Sequence, residues 1–130
     1  MNRLARPVTP ATLALAAMLA TSEARPAAAQ GWTTVTDEAT FVSLVQGREL
    51  RIGLFGISLT VSPAGTIGGT AQGRQVTGEW AWQDGLFCRD MTWGQSEIGY
   101  NCQLVQSDGG NRLRFVEDAG AGRSADFNLR

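Results

Sequence analysis

The sequence predicts an all-β domain: an antiparallel meander of about seven or eight short strands that forms a small barrel or a strongly twisted sheet, with one N-terminal helix. Three observations predict this class. Apolar residues alternate with period two along most of the chain, turn-forming residues recur about every ten residues, and no helical pattern separates the strands. A two-sheet sandwich is the alternative, but its crossovers need a longer connection than the chain offers.

The first thirty residues predict export. Arg3 and Arg6 precede an apolar run at residues 8–20, and residues 27–29 are alanines typical of a cleavage site. The run is shorter than the ~20 residues of a membrane-spanning helix. We therefore expect a signal peptide at residues 1–29, with Ala20 and Ala24 as alternative cleavage sites. Residues 30–130 would then form one periplasmic or secreted domain that does not span the membrane.

One segment of this domain, residues 37–46, has a helical pattern. Three apolar residues fall on one helix face: Phe41, Leu44 and Val45. Thr36 or Asp37 can cap the start of the helix, and Gly47 can end it. We expect the helix to close one end of the barrel or to pack on an open face of the sheet.

The rest of the chain alternates between strands and turns. Apolar alternation marks the strands: Leu50, Ile52 and Leu54; Ile57, Leu59 and Val61; Val76 and Gly78; Trp80 and Trp82; Leu113 and Phe115; Phe127 and Leu129. Turn-forming residues lie between them, at 62–65, 72–74, 83–85, 107–111 and 119–122. The Gly-rich stretch at 68–73 reads as the end of a strand and a turn.

The two cysteines predict a disulfide. Residues 87–93 and 98–104 read as strands flanking a turn at 94–97, and folding them about this turn places Cys88 opposite Cys102. A metal-binding or catalytic role is the alternative, but the chain has no Cys-x-x-Cys pair and no His to complete such a site.

Composition excludes many functions. The predicted mature segment carries eight Arg, eleven Asp plus Glu, and neither Lys nor His, which gives a formal charge of −3. Nucleic-acid-binding proteins instead cluster Lys and Arg on one face. Without His and Lys, Ser-His-Asp and Cys-His nucleophile systems, Schiff-base chemistry and almost every zinc site are excluded. We expect a monomer with no metal, no cofactor and no nucleic-acid partner.

Aromatic residues predict a ligand-binding surface. Trp80 and Trp82 share a face of one strand, Trp93 ends a second strand, and Tyr100 lies on a third. Together with Arg89 they form the candidate ligand site, a concave surface for stacking a sugar or enclosing an apolar molecule. The alternative is that the rings fill the core of a small domain.

Carboxylates form a second candidate site. The central strands and their turn carry three carboxylates: Glu79, Asp90 and Glu97. This arrangement is compatible with a glycosidase, which uses two carboxyl groups for catalysis. The alternative is that they face water or pair with Arg. Arg89 and Asp90 are consecutive, so in a strand they point to opposite faces, and we expect one of them to face inward.

Two resemblances add to this reading. Gly78, Glu79 and Trp80 resemble the G-x-W motif of lipocalins, whose barrels carry small hydrophobic ligands, although in lipocalins the motif lies on the first strand. This implies a lipocalin-like, or calycin-like, barrel. The chain is also similar to a group of small exported alphaproteobacterial β-domain proteins with one disulfide, through residues 41–45, 76–80, 87–89, 101–103 and 114–115.

Some members of that group carry the name dihydrodipicolinate reductase. The reductase itself uses a dinucleotide-binding fold with His and Lys in its substrate site, whereas the mature segment has neither residue and no dinucleotide fingerprint. The resemblance therefore implies export and the disulfide, not an activity.

Three functional hypotheses remain. The leading one is an exported, non-enzymatic binding module that holds a small amphipathic molecule or an envelope component. The second is a protein-interaction or inhibitor domain, which an exposed apolar patch and a filled barrel would favour. The third is a carboxylate-dependent hydrolase of cell-wall glycan.

Overall fold

A computed structural model describes residues 31–130; the predicted signal peptide at residues 1–29 and Gln30 lie outside the described residues. The described part contains one α-helix and nine antiparallel strands. These are β1 Thr33–Thr34, α1 Glu38–Val45, β2 Leu50–Ile52, β3 Ile57–Val61, β4 Thr66–Ala71, β5 Arg74–Gln83, β6 Leu86–Trp93, β7 Ser96–Ser107, β8 Arg112–Val116 and β9 Ser124–Leu129. Across residues 31–130, no helix has the length and apolar character needed to cross a membrane.

The sheet closes on itself. Strands β2 to β9 pair in chain order, and β9 returns to pair with β2 through Leu129↔Leu50 and Asn128↔Arg51. Two backbone hydrogen bonds of 2.9 Å between Glu49 and Arg130 extend this seam. Closure pairs both long edges of the sheet formed by β2 to β9, which is the reason a meander of this length curls. The predicted small all-β barrel is confirmed, and β1 adds a ninth strand beside the end of β7.

Helix α1 begins where the sequence predicts. The Asp37 carboxylate accepts a 2.8 Å hydrogen bond from the Thr40 amide, which satisfies one of the free N–H groups of the first turn. Phe41 and Val45 are fully buried, so one face of the helix packs on the barrel. The chain then leaves the helix through Gly47, at a φ of 71° that favours glycine.

The core is built around Phe41. Its ring stacks on Trp82 with centroids 5.2 Å apart, lies edge-on to Trp80 at 5.3 Å and tilts against Phe87 at 5.1 Å. Phe87 in turn packs on Phe115, with centroids 5.3 Å apart. The helix therefore closes one end of the barrel by inserting one aromatic ring among the inward-facing rings of β5, β6 and β8.

The predicted disulfide is present. Cys88 and Cys102 face each other in the β6–β7 register, with Cα atoms 3.9 Å apart. The turn is tighter than expected, since only Gly94 and Gln95 lie between the two strands. A register shift between Met91 and Thr92 absorbs the difference, because it adds a residue to β7 and keeps the two cysteines opposite each other.

One local expectation is corrected and another is confirmed. Leu54 does not continue the alternation of β2: Gly53–Phe55 form a 3₁₀ turn, and Leu54 is 89% exposed. Gly56, at a φ of 60°, lets the chain reverse immediately into β3. The predicted end of a strand and turn at residues 68–73 is confirmed: residues 68–71 end β4, where Gly68 and Gly69 pair on both sides, and residues 72–73 form the turn into β5.

Candidate functional site

The two ends of the barrel differ. At one end, where the β3–β4, β5–β6 and β7–β8 connections lie, Phe41 of α1 packs between the strands against Trp80, Trp82 and Phe87; we call this the helix end. The β2–β3, β4–β5, β6–β7 and β8–β9 connections lie at the opposite end, since alternate turns of a meander fall on the same side. We call this the open end, because no α-helix of the described residues lies there.

A cavity of about 240 Å³ lies inside the barrel. Most of its apolar lining comes from β2, β3, β4, β8 and β9, and β6 adds two further side chains: Leu50, Leu59, Val61, Ile67, Phe115, Ala125 and Phe127, with Phe87 and Met91 from β6. Ile98 also lines the cavity and is 47% exposed, so the cavity reaches the surface near the β6–β7 turn. At roughly 30 Å³ per water molecule, the volume corresponds to about eight waters.

One wall of this cavity is polar. Arg89 and Gln103 face it from the paired strands β6 and β7, and they are only 4% and 8% exposed. In an eight-stranded ring β6 lies opposite β2, so Arg89 and Leu50 line the cavity from opposite strands. The cavity is therefore amphipathic: a guanidinium and an amide lie on the β6–β7 side, where Phe87 and Met91 also line it, and the other strands contribute mainly aliphatic and aromatic side chains.

The Arg89 guanidinium is incompletely paired. Nη1 donates a 2.8 Å hydrogen bond to the carbonyl of Gly99, while Nη2 lies 3.8 Å from Glu117 Oε1, beyond hydrogen-bonding distance. Nε is buried and has no acceptor among the described residues. Burial lowers the pKa of Arg89, and the negative charges of Glu117 and Asp90 act in the opposite direction. A buried cation with one hydrogen bond and one distant carboxylate is costly and attracts a further anion.

The β8–β9 connection positions Glu117. Asn101 donates a 2.8 Å hydrogen bond to the Asp118 carboxylate and accepts one of 3.0 Å from the Asp118 amide. This reciprocal pair holds Asp118 in a left-handed conformation, with a φ of 54°, immediately after Glu117. The Glu117 side chain is 42% exposed, so it stands at the rim of the cavity rather than inside it.

Among the five residues predicted for ligand binding, Arg89 alone lines the cavity. Trp80 and Trp82 do share an inward face, but they pack on Phe41, which agrees with the alternative that these rings form the core. Trp80 Nε1 donates a 2.8 Å hydrogen bond to the carbonyl of Ser62. Because Tyr100 is 63% exposed on the outer face of β7, the structure does not bring it together with Arg89.

Trp93 lies near the open end, away from the cavity wall. Its Nε1 donates a 2.8 Å hydrogen bond to the carbonyl of Ala71, and the Arg74 guanidinium lies 4.4 Å from the ring centroid. These contacts join the β4–β5 and β6–β7 turns. The ring therefore has a structural role in holding two connections of the open end together.

Sequence reasoning missed Gln103 and Glu117. Gln103 pairs with Phe87 and therefore points inward, two residues before the buried Val105. A polar residue at an inward position of an alternating strand was the available signal. No local signal identifies Glu117, because its distance from Arg89 is set by barrel closure and by the loop that follows β8.

Three carboxylates meet on the outer face instead. Glu79, Asp90 and Glu97 line a shallow groove with Tyr100, and Glu79 pairs directly with Asp90 in the β5–β6 register. All three are exposed, whereas a glycosidase holds its acid in a partly dehydrated site. Within the described part of the chain, no group of three or more His, Cys, Asp or Glu residues is arranged to hold a metal ion.

The disulfide bears on where the protein works. Structural disulfides persist in oxidising compartments, whereas cytosolic thiols are kept reduced. The Cys88–Cys102 bond therefore indicates a non-cytoplasmic location. Relatives add no further information: no protein-family model matches this chain, and the curated proteins and solved structures include no significant match to it.

Proposed function

We propose that this protein is an exported, non-enzymatic binding module that holds one small amphipathic molecule inside its barrel, in the periplasm or outside the cell. The observation that carries the proposal is the cavity, which combines an apolar wall with buried Arg89 and Gln103. A small domain normally fills its interior to close packing, so a lined space of about 240 Å³ favours a bound guest.

The same lining argues against a glycan hydrolase in the cavity. Such enzymes need two carboxyl groups flanking the scissile bond, and Glu117 is the single carboxylate that the described part of the chain contributes to this lining. The two polar side chains deeper in the wall, Arg89 and Gln103, bind and orient a ligand but supply no acid–base pair at neutral pH.

A second candidate, a protein-interaction or inhibitor domain, is favoured by one observation. Leu54 and Phe55, on the 3₁₀ turn at the open end, are 89% and 53% exposed. Adjacent exposed apolar side chains are typical of a surface that is covered by a partner. They lie on the same end as the mouth of the cavity, so they also suit an entrance through which an apolar ligand passes.

Native mass spectrometry separates the two candidates. The protein is purified gently from its own export compartment and weighed under native and denaturing conditions. A stoichiometric extra mass of small-molecule size supports the binding module and identifies the guest. An extra mass of polypeptide size, with an unoccupied barrel, supports the interaction domain instead.

Cavity filling tests the proposal with purified protein. Ala125 lines the cavity, and Ala125→Leu adds side-chain volume there. Ala81 is exposed on the outer face of β5, so Ala81→Leu adds the same atoms outside the barrel. We expect Ala125→Leu to weaken binding of a neutral fluorescent naphthylamine by about fivefold or more, and Ala81→Leu to leave it within about twofold. Equal effects of the two substitutions would contradict binding inside the barrel.

A further inference from the structure

Arg89 is the most unusual group in the interior of the barrel. It is 4% exposed, and among the described residues one of its nitrogens has a hydrogen-bond acceptor within range, the carbonyl of Gly99. Guanidinium groups offer five N–H donors in a planar fork and stay protonated in proteins. A positive charge with several free donors therefore lies against the cavity.

Glu117 only partly offsets this charge. Its carboxylate lies 3.8 Å from Nη2 and is 42% exposed, so water competes for it and the attraction is weak. Because it sits at the rim, the side chain is free to turn toward solvent when another anion approaches Arg89. The Nε atom has no acceptor among the described residues. It lies in the same guanidinium plane as Nη2, so the two atoms can donate together to one carboxylate.

Resting on the proposed function, we propose that the guest is a singly charged anionic amphiphile whose carboxylate binds the Arg89 guanidinium, with its hydrocarbon part against the apolar wall formed by Leu50, Leu59 and Phe127. The fork geometry of Arg matches a carboxylate with two parallel hydrogen bonds. Gln103, which lines the cavity two residues along β7 from Asn101, the partner of Arg89, offers an amide donor to the same head group.

Charge balance restricts the head group. Among residues 31–130, Arg89 is the one cationic side chain that lines the cavity, and Glu117 at the rim is negative. A monoanion leaves the site close to neutral once Glu117 turns outward, whereas a dianionic phosphate monoester leaves excess negative charge beside Glu117. A cationic head group is repelled by Arg89, because both groups are positively charged.

Cavity volume restricts the tail. The space equals about eight water-sized groups, and since a methylene group is comparable in size to a water molecule, it holds a guest of roughly eight to ten non-hydrogen atoms, including the head group. Long-chain amphiphiles exceed this size unless they extend past Ile98 into solvent. The cavity therefore favours a medium-chain carboxylate or one of similar size.

Octanoate and octan-1-ol test this inference, because they share a chain length and differ in charge. Affinities are measured by displacement of the neutral fluorescent naphthylamine. We expect the wild-type protein to bind octanoate about tenfold more tightly than the alcohol, and Arg89→Gln to bring this ratio close to one. Glu117→Gln removes the competing carboxylate and is expected to raise the ratio about threefold. Arg123→Gln is the matched control, since Arg123 is exposed on the same connection and lies outside the cavity lining.

The outcomes are separable. Equal affinity for octanoate and the alcohol in a wild-type protein that binds the probe overturns the anionic guest but leaves the binding module standing. Absence of any probe or ligand binding overturns the proposed function itself. If circular dichroism shows that Arg89→Gln does not fold, Glu117→Gln decides: a ratio unchanged from wild type overturns the inference. A change in Arg123→Gln equal to that in Arg89→Gln would also overturn it, because net charge would then explain both.

Discussion

The ring of Phe41 stacks on the indole of Trp82, with centroids 5.2 Å apart and planes inclined by 27°. This contact joins the only α-helix of the described residues to the barrel and closes the helix end. We expect Phe41→Ala to reduce the free energy of unfolding by about 3–5 kcal/mol, since it removes a fully buried aromatic ring. Urea denaturation followed by tryptophan fluorescence measures the change.

Ser43→Ala provides the control for that experiment. Ser43 lies on the exposed face of the same helix, so its substitution should change stability by less than about 0.5 kcal/mol. A loss of under about 1 kcal/mol in Phe41→Ala would show that the helix does not close the barrel in solution.

The disulfide is expected to contribute a large share of the stability. It joins residues separated by 14 positions, for which the chain-entropy model gives about 3 kcal/mol. The free energy of unfolding of the Cys88→Ala/Cys102→Ala variant should therefore be about 3 kcal/mol lower than that of the wild type, and the variant should unfold at a lower urea concentration. Reductant should lower the midpoint of the wild type and leave that of the variant unchanged. A reductant effect on both proteins would mean that the shift does not come from this bond.

The Arg114–Asp126 pair predicts a pH dependence of stability. Two hydrogen bonds from the Arg114 guanidinium, 2.7 and 2.9 Å long, hold the pKa of Asp126 below its ordinary value of 3.8. A carboxylate with a lowered pKa in the folded state stabilises the fold above its unfolded pKa, and this contribution is lost as the pH falls through the folded value.

We therefore expect Asp126→Asn to destabilise the protein at pH 7 by about 0.5–1 kcal/mol, because the pair is bidentate but partly exposed. The difference from wild type should shrink as the pH falls below 3.8 and disappear once the pH has passed the lowered pKa of the folded wild-type carboxylate. Urea midpoints recorded between pH 7 and pH 2.5 or so test this. When Arg114 is already replaced by Gln, Asp126→Asn should change the free energy of unfolding little at any pH. A loss as large as in the wild-type background would show that the effect does not come from the Arg114–Asp126 pair.

Gly69 and Gly68 offer a matched pair for testing the geometry of β4. A Cβ on Gly69 would fall on the carbonyl oxygen of Ser58, and the residue has a φ of 130° that L side chains rarely adopt. Gly68 has open space around it. Gly69→Ala should cost at least about 1–3 kcal/mol, whereas Gly68→Ala should stay within about 0.5 kcal/mol. Thermal or urea unfolding of both variants provides the comparison, and similar losses at the two positions would contradict the β3–β4 register.

Much of the local structure was predictable, since it depends on neighbouring residues. The capped helix with Phe41 and Val45 on one face follows from a 3.6-residue period and from Asp37 at its start. The Cys88–Cys102 pairing follows from a hairpin fold about one Gly-containing turn. Leu54 departed from its strand because Gly53 and Gly56 flank it and allow a 3₁₀ turn, which alternation alone does not reveal.

The sequence by itself determined which side chains share a face and where the chain turns, because these properties repeat over two to four residues. It placed Arg89 and Asp90 on opposite faces without showing which one was buried. Only the tertiary structure decided that Arg89 points into a closed barrel, with Glu117 at 3.8 Å and no acceptor for its Nε among the described residues. The physical reason is that closure depends on the pairing of β2 with β9, nearly eighty residues apart, and that the space left inside depends on the summed volumes of side chains from every strand.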